Sequence, residues 1–173
     1  MPPPAADNNS GTTTPPSLSA TPHLPRVHLP LDFNAFCLLH AHHYLHYARL
    51  RLKDPPASEA AVERALGDLA VAWSVALGSP HPAAFGWHSL SVRVSAAMRS
   101  QPSRAARARD GLHRLLLAPQ ADAVLCHRLM RLSVEETATL QGVPASTVNQ
   151  RLAEAADNLG TELAPLLGLR STC

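Results

Sequence analysis

The chain has few of the residues that build β-sheet cores or strongly charged surfaces. Of its 173 residues, aromatic residues make up 4% and charged residues 16%, whereas hydrophobic residues make up 46%. Alanine and leucine supply most of the apolar content, and β-branched residues are few. Because alanine and leucine favour helices while β-branched residues favour strands, this composition predicts an all-α protein.

Several sequence features that would indicate other protein classes are also missing. No apolar run approaches the roughly 18–20 residues that a membrane span needs. The N-terminus has no basic-then-apolar signal pattern, and Cys37, Cys126 and Cys173 show no CxxC spacing, so we expect reduced thiols in a cytoplasmic protein. The sequence has no Gly-rich phosphate loop, no supported Ser/His/Asp arrangement and no obvious carboxylate pair. We therefore expect neither enzymatic activity nor a cofactor or metal.

The formal net charge of +2 neither requires nor excludes a nucleic-acid partner. The charge is nevertheless uneven, because six arginines stand against two aspartates between residues 104 and 131: Arg104, Arg107, Arg109, Arg114, Arg128 and Arg131 against Asp110 and Asp122. This basic block is either a surface that follows nucleic acid or an ordinary solvated helix face, and both interpretations stay open.

The patterning divides the chain into a tail, two helical regions and a linker. Residues 1–30 are rich in Pro, Ser and Thr, which predicts a disordered tail, either inert or used for docking. Residues 31–100 predict three helices, and residues 101–118 a basic linker. Residues 119–173 predict a helix that leads into a helix-turn-helix.

The three N-terminal helices have predicted ends and faces. The first begins at Leu31 or Asp32 and stops before Pro55, with a predicted buried stripe of Phe33, Phe36, Leu39, His43, Tyr47 and Leu50. Ser58 is the predicted N-cap of the second helix, which runs through Trp73 to Gly78. The third begins at about Pro82.

The stretch LSVEETATLQGVPASTVNQRL, residues 132–152, predicts a helix, a tight turn and a second helix. Ser133 and Glu136 form a capping-box pattern, and Gly142 can adopt the positive φ that ends the first helix. The second helix opens at Pro144 or Ala145. Its outer N-terminal face would carry hydroxyl, amide and guanidinium groups that suit base edges and phosphates in a major groove: Ser146, Thr147, Asn149, Gln150 and Arg151. An ordinary helical hairpin is the alternative.

These residues resemble region 4 of sigma-70-type initiation factors, especially the extracytoplasmic-function type. The Leu-Ser start, the Gly-Val-Pro turn, Thr-Val and the Arg-Leu pair carry the resemblance. The segments YLHYARLRLKDPPASEAAVERAL and HPAAFGWHSLSVRVSAAM are similar to region 2, so the similarity covers about residues 31–165. The resemblance implies a protein that binds core RNA polymerase and promoter DNA, with an anti-sigma factor as a possible further partner and no membrane.

The resemblance also implies roles for particular residues. The helix-turn-helix would contact the −35 element through Ser146, Thr147, Asn149, Gln150 and Arg151. Region 2 would contact the −10 element through Trp87, Arg93 and Arg99, and the polymerase through Glu59, Glu63 and Asp68. However, five acids stand against two bases from Ser133 to Cys173, which is an unusual balance for a module that grips phosphates. The alternatives are therefore a degenerate sigma-like regulator that acts through protein contacts, or a helix-turn-helix regulator that does not open promoters.

Two further clusters have competing interpretations. His40, His42, His43 and His46 lie on one helix, where His42 and His46 have the i,i+4 spacing of a metal pair, but no third ligand is evident nearby and a plain helix surface is favoured. A pH-tuned surface is the other alternative. Trp73, Phe85 and Trp87 can stack on unpaired bases, whereas a core position is the favoured interpretation for Trp73.

Overall fold

The structure is a computed structural model that describes residues 29–101 and 110–169. These residues form eight α-helices and no strand, which confirms the all-α prediction: α1 Leu31–Leu52, α2 Pro55–Val71, α3 Trp73–Leu77, α4 Pro82–Ser100, α5 Gly111–Leu115, α6 Ala118–Val124, α7 Val134–Gln141 and α8 Ala145–Leu163. A π-helical turn over Leu125–Leu129 continues α6, and a 3₁₀ turn over Pro165–Leu167 follows α8.

Nearly all of the predicted tail and part of the basic linker, residues 102–109, lie outside the described residues. The predicted linker also contains an ordered element, because α5 lies within it. Within the described ranges, no helix is both long enough and apolar enough to cross a membrane.

The second predicted helix differs from α2 at both ends. Asp54 is the N-cap, because its carboxylate accepts a hydrogen bond from the Ala57 backbone N–H at 3.1 Å; the prediction of Ser58 was wrong. The two prolines before Ala57 occupy the first turn of α2, where a missing N–H has no cost. At the other end the helix breaks at Ala72 (φ −94°, ψ 9°), so that Trp73 begins a separate short helix.

The buried face of α1 is rotated relative to the predicted stripe. Phe33, Phe36 and Tyr47 are buried as predicted, but His40 and Tyr44 take the places expected for His43 and Leu39. Leu39 is 64% exposed, so its assignment to the core was wrong. The reason is the aromatic packing that this face makes: ring centroids lie 5.3 Å apart between Phe36 and Trp73, and 4.7 Å apart between Tyr47 and Trp87.

The larger hydrophobic core crosses the predicted boundary between the two helical regions. It contains Leu125, Cys126, Met130 and Leu140 together with the aromatic residues of α1 and α4. A smaller core lies between α6, α7 and α8. The second half of the chain therefore contributes side chains to the core of the first half.

A buried polar network also joins the two halves. Tyr47 and Arg51 of α1 reach Asp122 and Asp110, with the Tyr47 hydroxyl 2.5 Å from Asp122 Oδ1 and Arg51 Nη2 2.5 Å from Asp110 Oδ2. His113 stands between the two aspartates, at 2.8 Å from Asp110 Oδ1 and 2.7 Å from Asp122 Oδ1. We call these five residues the interhalf network. With His113 protonated, two positive and two negative side chains balance in a buried site, as a stable buried ion cluster requires.

The protonation of His113 depends on its neighbours. Burial disfavours the charged imidazole, but the bonds to Asp110 and Asp122 outweigh burial and hold the pKa of His113 above its usual value of 6.5. When the pKa of a histidine is higher in the folded state, its protonation stabilises the fold. This stabilisation is fully present below pH 6.5 and is lost as the pH rises through the pKa of the folded state.

We therefore predict that the free energy of unfolding falls as the pH rises above 6.5, and that His113→Asn removes most of this slope. Urea titrations at several pH values in this range measure both quantities. His40 does not mimic the effect, because its pKa is lowered by burial and by His43, so that its contribution is complete above pH 6.5. A slope that persists unchanged in the His113→Asn variant would contradict the assignment.

Gly142 lies where the backbones of the two halves come into close contact. Its φ is +65°, and a Cβ at this position would lie 2.1 Å from the Ala84 backbone nitrogen of α4. We predict that Gly142→Ala destabilises the fold by about 3 kcal/mol or more, because backbone strain adds to an overlap that no side chain can relieve. The matched control is Gly67→Ala, which meets no atom within 4 Å and should stabilise α2 slightly. Thermal unfolding of both variants tests this, and an unchanged melting temperature for Gly142→Ala would refute it.

Candidate nucleic-acid interface

The turn between α7 and α8 has the local geometry that the sequence predicts. Ser133 Oγ accepts from the Glu136 backbone N–H at 3.0 Å, and a Glu136 carboxylate oxygen accepts from the Ser133 N–H at 2.7 Å. This capping box fixes the start of α7. Gly142 has left-handed backbone angles at the end of α7, and the Val143 N–H donates to the Ala138 carbonyl at 3.0 Å. The predicted helix-turn-helix is confirmed as a structural element.

The two faces of α8 differ sharply in character. One face is buried against α6 and α7 through Val148, Leu152, Ala155, Ala156 and Leu159. On the opposite face Ser146, Asn149 and Gln150 are exposed, and Thr147 is half-buried. Four of the five predicted recognition residues therefore lie at the N-terminal end of α8. The buried apolar face of the same helix holds this end in place. Exposed hydroxyl and amide groups there can donate to and accept from base edges.

Arg151, the fifth predicted recognition residue, is bonded within the helix-turn-helix, to α7. Its Nη1 donates to Gln141 Oε1 at 2.9 Å, and its side chain is partly buried. Gln141 is almost fully buried and also contacts the Cys126 thiol. The guanidinium is thus held in a fixed direction, which lowers the entropy cost of using its remaining donors on a ligand.

Arg151 lines a cleft of about 440 Å³ between α4 and the helix-turn-helix, which we call the interhalf cleft. The α4 wall brings His88, Ser91, Ser95 and Arg99 to it. Among the described residues, no carboxylate lies within 4 Å of the guanidinium of either Arg99 or Arg151. The single acid in the lining, Asp122, already accepts from Tyr47 and His113. The cleft can therefore take an anionic group such as a phosphate.

Of the other predicted residues of the N-terminal half, Trp87 lines this cleft, whereas Glu59, Glu63, Asp68 and Arg93 lie outside its lining. Arg93 forms a two-bond ion pair with Asp68, at 2.6 Å and 2.7 Å, and these bonds hold the pKa of Asp68 below its usual value. Glu59 pairs with Arg49 at 2.9 Å, whereas Glu63 is exposed. Arg93, a predicted DNA contact, is thus paired with Asp68, a predicted polymerase contact.

The tryptophans are core residues in this arrangement. Trp87 is 8% exposed and packs edge-on against Tyr44 and Tyr47, so it presents little ring surface to a base. Trp73 is 6% exposed, as the favoured interpretation of the sequence had it. Phe85, 39% exposed, keeps an accessible ring.

The histidines of α1 do not converge on one point. His40 is buried against Phe36 and Tyr44, while His42 and His46 are exposed. In the part of the chain that the structure describes, no group of three or more His, Cys, Asp or Glu side chains is placed to hold a metal ion.

The residues that build the cleft carry no short-range signal in the sequence. Arg51, Gln141 and His88 come from three helices that are far apart in sequence, and only the packing of the halves brings them together. Among the acids of α8, Glu154 has a local bonding role, because its carboxylate accepts from Gln120 at 3.0 Å and from Gln150 at 2.9 Å. It serves partly as a structural acceptor.

The burial of both tryptophans predicts how they respond to solutes. We expect iodide to quench little of the native tryptophan fluorescence, and an unpaired oligonucleotide to leave the emission unchanged, because neither solute reaches the rings. Stern–Volmer titration of the native protein, with the urea-unfolded chain as the accessible control, measures this. Strong quenching by the oligonucleotide would show that Trp87 becomes exposed and stacks on bases.

Comparison with known proteins adds no further assignment. No protein-family model, no curated protein and no solved structure matches this chain.

Proposed function

We propose that the chain is a sigma-factor-like transcription initiation protein that contacts core RNA polymerase and promoter DNA in the cytoplasm. The observation that carries the proposal is the N-terminal end of α8. There Ser146, Asn149 and Gln150 stand exposed on a helix whose opposite face is buried. A rigid helix with exposed hydroxyl and amide groups at its N-terminal end matches the way a recognition helix enters a major groove.

The basic groups near this helix favour weak, assisted binding. Arg151 and Arg99 line the interhalf cleft and form no ion pair with an acid among the described residues, although Glu154 lies near enough to Arg151 to offset part of its charge. The cleft therefore neutralises at most about two phosphates. The logarithm of the DNA affinity should then fall with the logarithm of the salt concentration with a slope of about −2. Neutralising two phosphates contributes too little free energy for tight binding to DNA alone. We therefore propose that core polymerase holds the protein on the DNA.

The proposed contacts of the N-terminal half have unequal support. Arg99 is exposed at the cleft and Glu63 is exposed on α2, so both can meet a partner without rearrangement. Arg93 would have to leave Asp68, and Trp87 would have to leave the core. The support is therefore stronger for duplex reading by α8 than for contacts with an opened −10 element.

A second candidate function is a sigma-like regulator that acts through protein contacts. The observation that favours it is the charge on the remainder of α8, where Glu154, Asp157 and Glu162 follow Arg151 and are exposed. Glu154 and Asp157 lie one helical turn apart directly beyond the recognition residues, and Glu162 follows a break in the helix at Gly160. This negative charge repels a DNA backbone, so this part of the chain suits a protein partner better. Core polymerase or an anti-sigma factor would be such a partner.

Substitutions on α8 separate the two candidates. We predict that Asn149→Ala with Arg151→Ala weakens specific binding to duplex DNA, selected from a random pool in the presence of core polymerase, by tenfold or more, since each base contact contributes about 1–3 kcal/mol. Fluorescence anisotropy at two salt concentrations measures the affinity and its salt slope. Asn149→Ala alone is informative too, because this exposed side chain supports nothing in the fold.

The control for this experiment is Arg64→Ala with Thr161→Ala, which removes one exposed arginine and one exposed polar residue away from the proposed interface. It should bind like the unchanged protein. Equal affinities for both double variants, together with no salt dependence, would rule out DNA reading by α8 and favour the protein-contact function.

A further inference from the structure

A second recess in the molecule has a different chemical character from the interhalf cleft. It has a volume of about 400 Å³ and is lined by nine leucines from α1, α5, the π-helical turn, α8 and the 3₁₀ turn: Leu50, Leu112, Leu115, Leu125, Leu129, Leu159, Leu163, Leu166 and Leu167. We call it the leucine groove. It contains none of the residues proposed above to contact DNA or polymerase.

The leucine groove is open to solvent along one side. Leu115 is 61% exposed, Leu166 81%, Leu129 46% and Leu163 44%. Isolated exposed leucines are common on protein surfaces, but several around one recess form a contiguous apolar patch, which in soluble proteins marks an interaction site. Covering these four side chains would release a substantial hydrophobic driving force.

The charges next to the leucine groove are mainly positive. Lys53 lines it, and the exposed Arg114 and Arg128 directly precede Leu115 and Leu129 in the chain. The guanidinium of Arg128 also approaches Gly168, which follows Leu167. On the negative side, Asp110 is engaged with Arg51, and the exposed Asp54, which follows Lys53, is engaged as the N-cap of α2. Glu162 is a further exposed acid beside the lining among the described residues.

We infer that the leucine groove binds an amphipathic helix of a partner protein, with aliphatic residues at i, i+3, i+4 and i+7 and acidic residues along its edges. A concave apolar recess formed by helices is the usual receptor for such a helix. The cationic residues beside it select an acidic partner and reject a basic one. They also disfavour a second copy of this chain, which would bring the same positive charges to the interface.

The probe for this inference is a fluorescent amphipathic peptide of about 18 residues, long enough for roughly 27 Å of helix, with leucines on one face and glutamates beside them. Two companion peptides replace either the glutamates by lysines or the leucines by serines. Anisotropy titration with the full chain should give micromolar binding for the acidic peptide and at least tenfold weaker binding for both companions.

Two variants locate the binding. Leu166→Glu and Leu115→Glu should each weaken binding of the acidic peptide about tenfold or more, because they place a negative charge in the contact without disturbing a buried side chain. Leu38→Glu is the matched control: Leu38 is 86% exposed on α1, away from the leucine groove, and its replacement should leave the affinity unchanged. Circular dichroism verifies that all three variants are folded.

Three results would overturn the inference. The first is equal affinity for the acidic and lysine peptides, and the second is an equal response of Leu166→Glu and Leu38→Glu. The third is occupation by something else, shown either by a dimer that Leu166→Glu dissociates in sedimentation or by tighter binding to vesicles of anionic lipid than to the peptide. The DNA-binding variants Asn149→Ala and Arg151→Ala should bind the peptide normally, so the outcome is independent of the proposed function.

Discussion

The arrangement of this chain depends on a buried ion cluster in which Arg51 and His113 meet Asp110 and Asp122. The distances are short, between 2.5 and 2.8 Å, and Asp122 Oδ1 accepts a hydrogen bond from the Tyr47 hydroxyl as well. Removing one partner from a buried cluster leaves an uncompensated charge, which typically costs about 3–5 kcal/mol. Arg51 belongs to α1, whereas Asp110 directly precedes α5, His113 lies in α5 and Asp122 lies in α6. The cluster therefore fixes how the second half of the chain lies on the first.

The functional geometry follows from that constraint. With the halves held together, α4 and the helix-turn-helix form opposite walls of one cleft, and the close approach of Gly142 to Ala84 leaves no room for a side chain between them. A −10 and a −35 element are separated by about 25 base pairs, or roughly 85 Å at 3.4 Å per pair. A compact domain of 173 residues has a radius of gyration of only about 16 Å. Contact with both elements at once would therefore require the halves to separate, breaking the ion cluster.

Local features were predictable from the sequence and non-local ones were not. The capping box of Ser133 and Glu136, the left-handed Gly142 and the start of α8 follow from side-chain chemistry within a few residues, and the structure has all three. The N-cap of α2 was missed because two prolines after Asp54 obscured it. The ion cluster brings together residues as far apart as Tyr47 and Asp122, and no short-range pattern indicates such a pairing. For the same reason the direction of Arg151 and the burial of Trp87 became visible only with the tertiary packing.

The most direct test of the proposed function is run-off transcription with purified core polymerase, this protein and sheared DNA from the source organism, followed by sequencing of the 5′ ends. We predict discrete start sites that share an upstream element, and loss of those starts with Asn149→Ala and Arg151→Ala. Absence of any start, while the same core polymerase is active with another sigma factor, would contradict it. The function would then have to be sought in protein contacts.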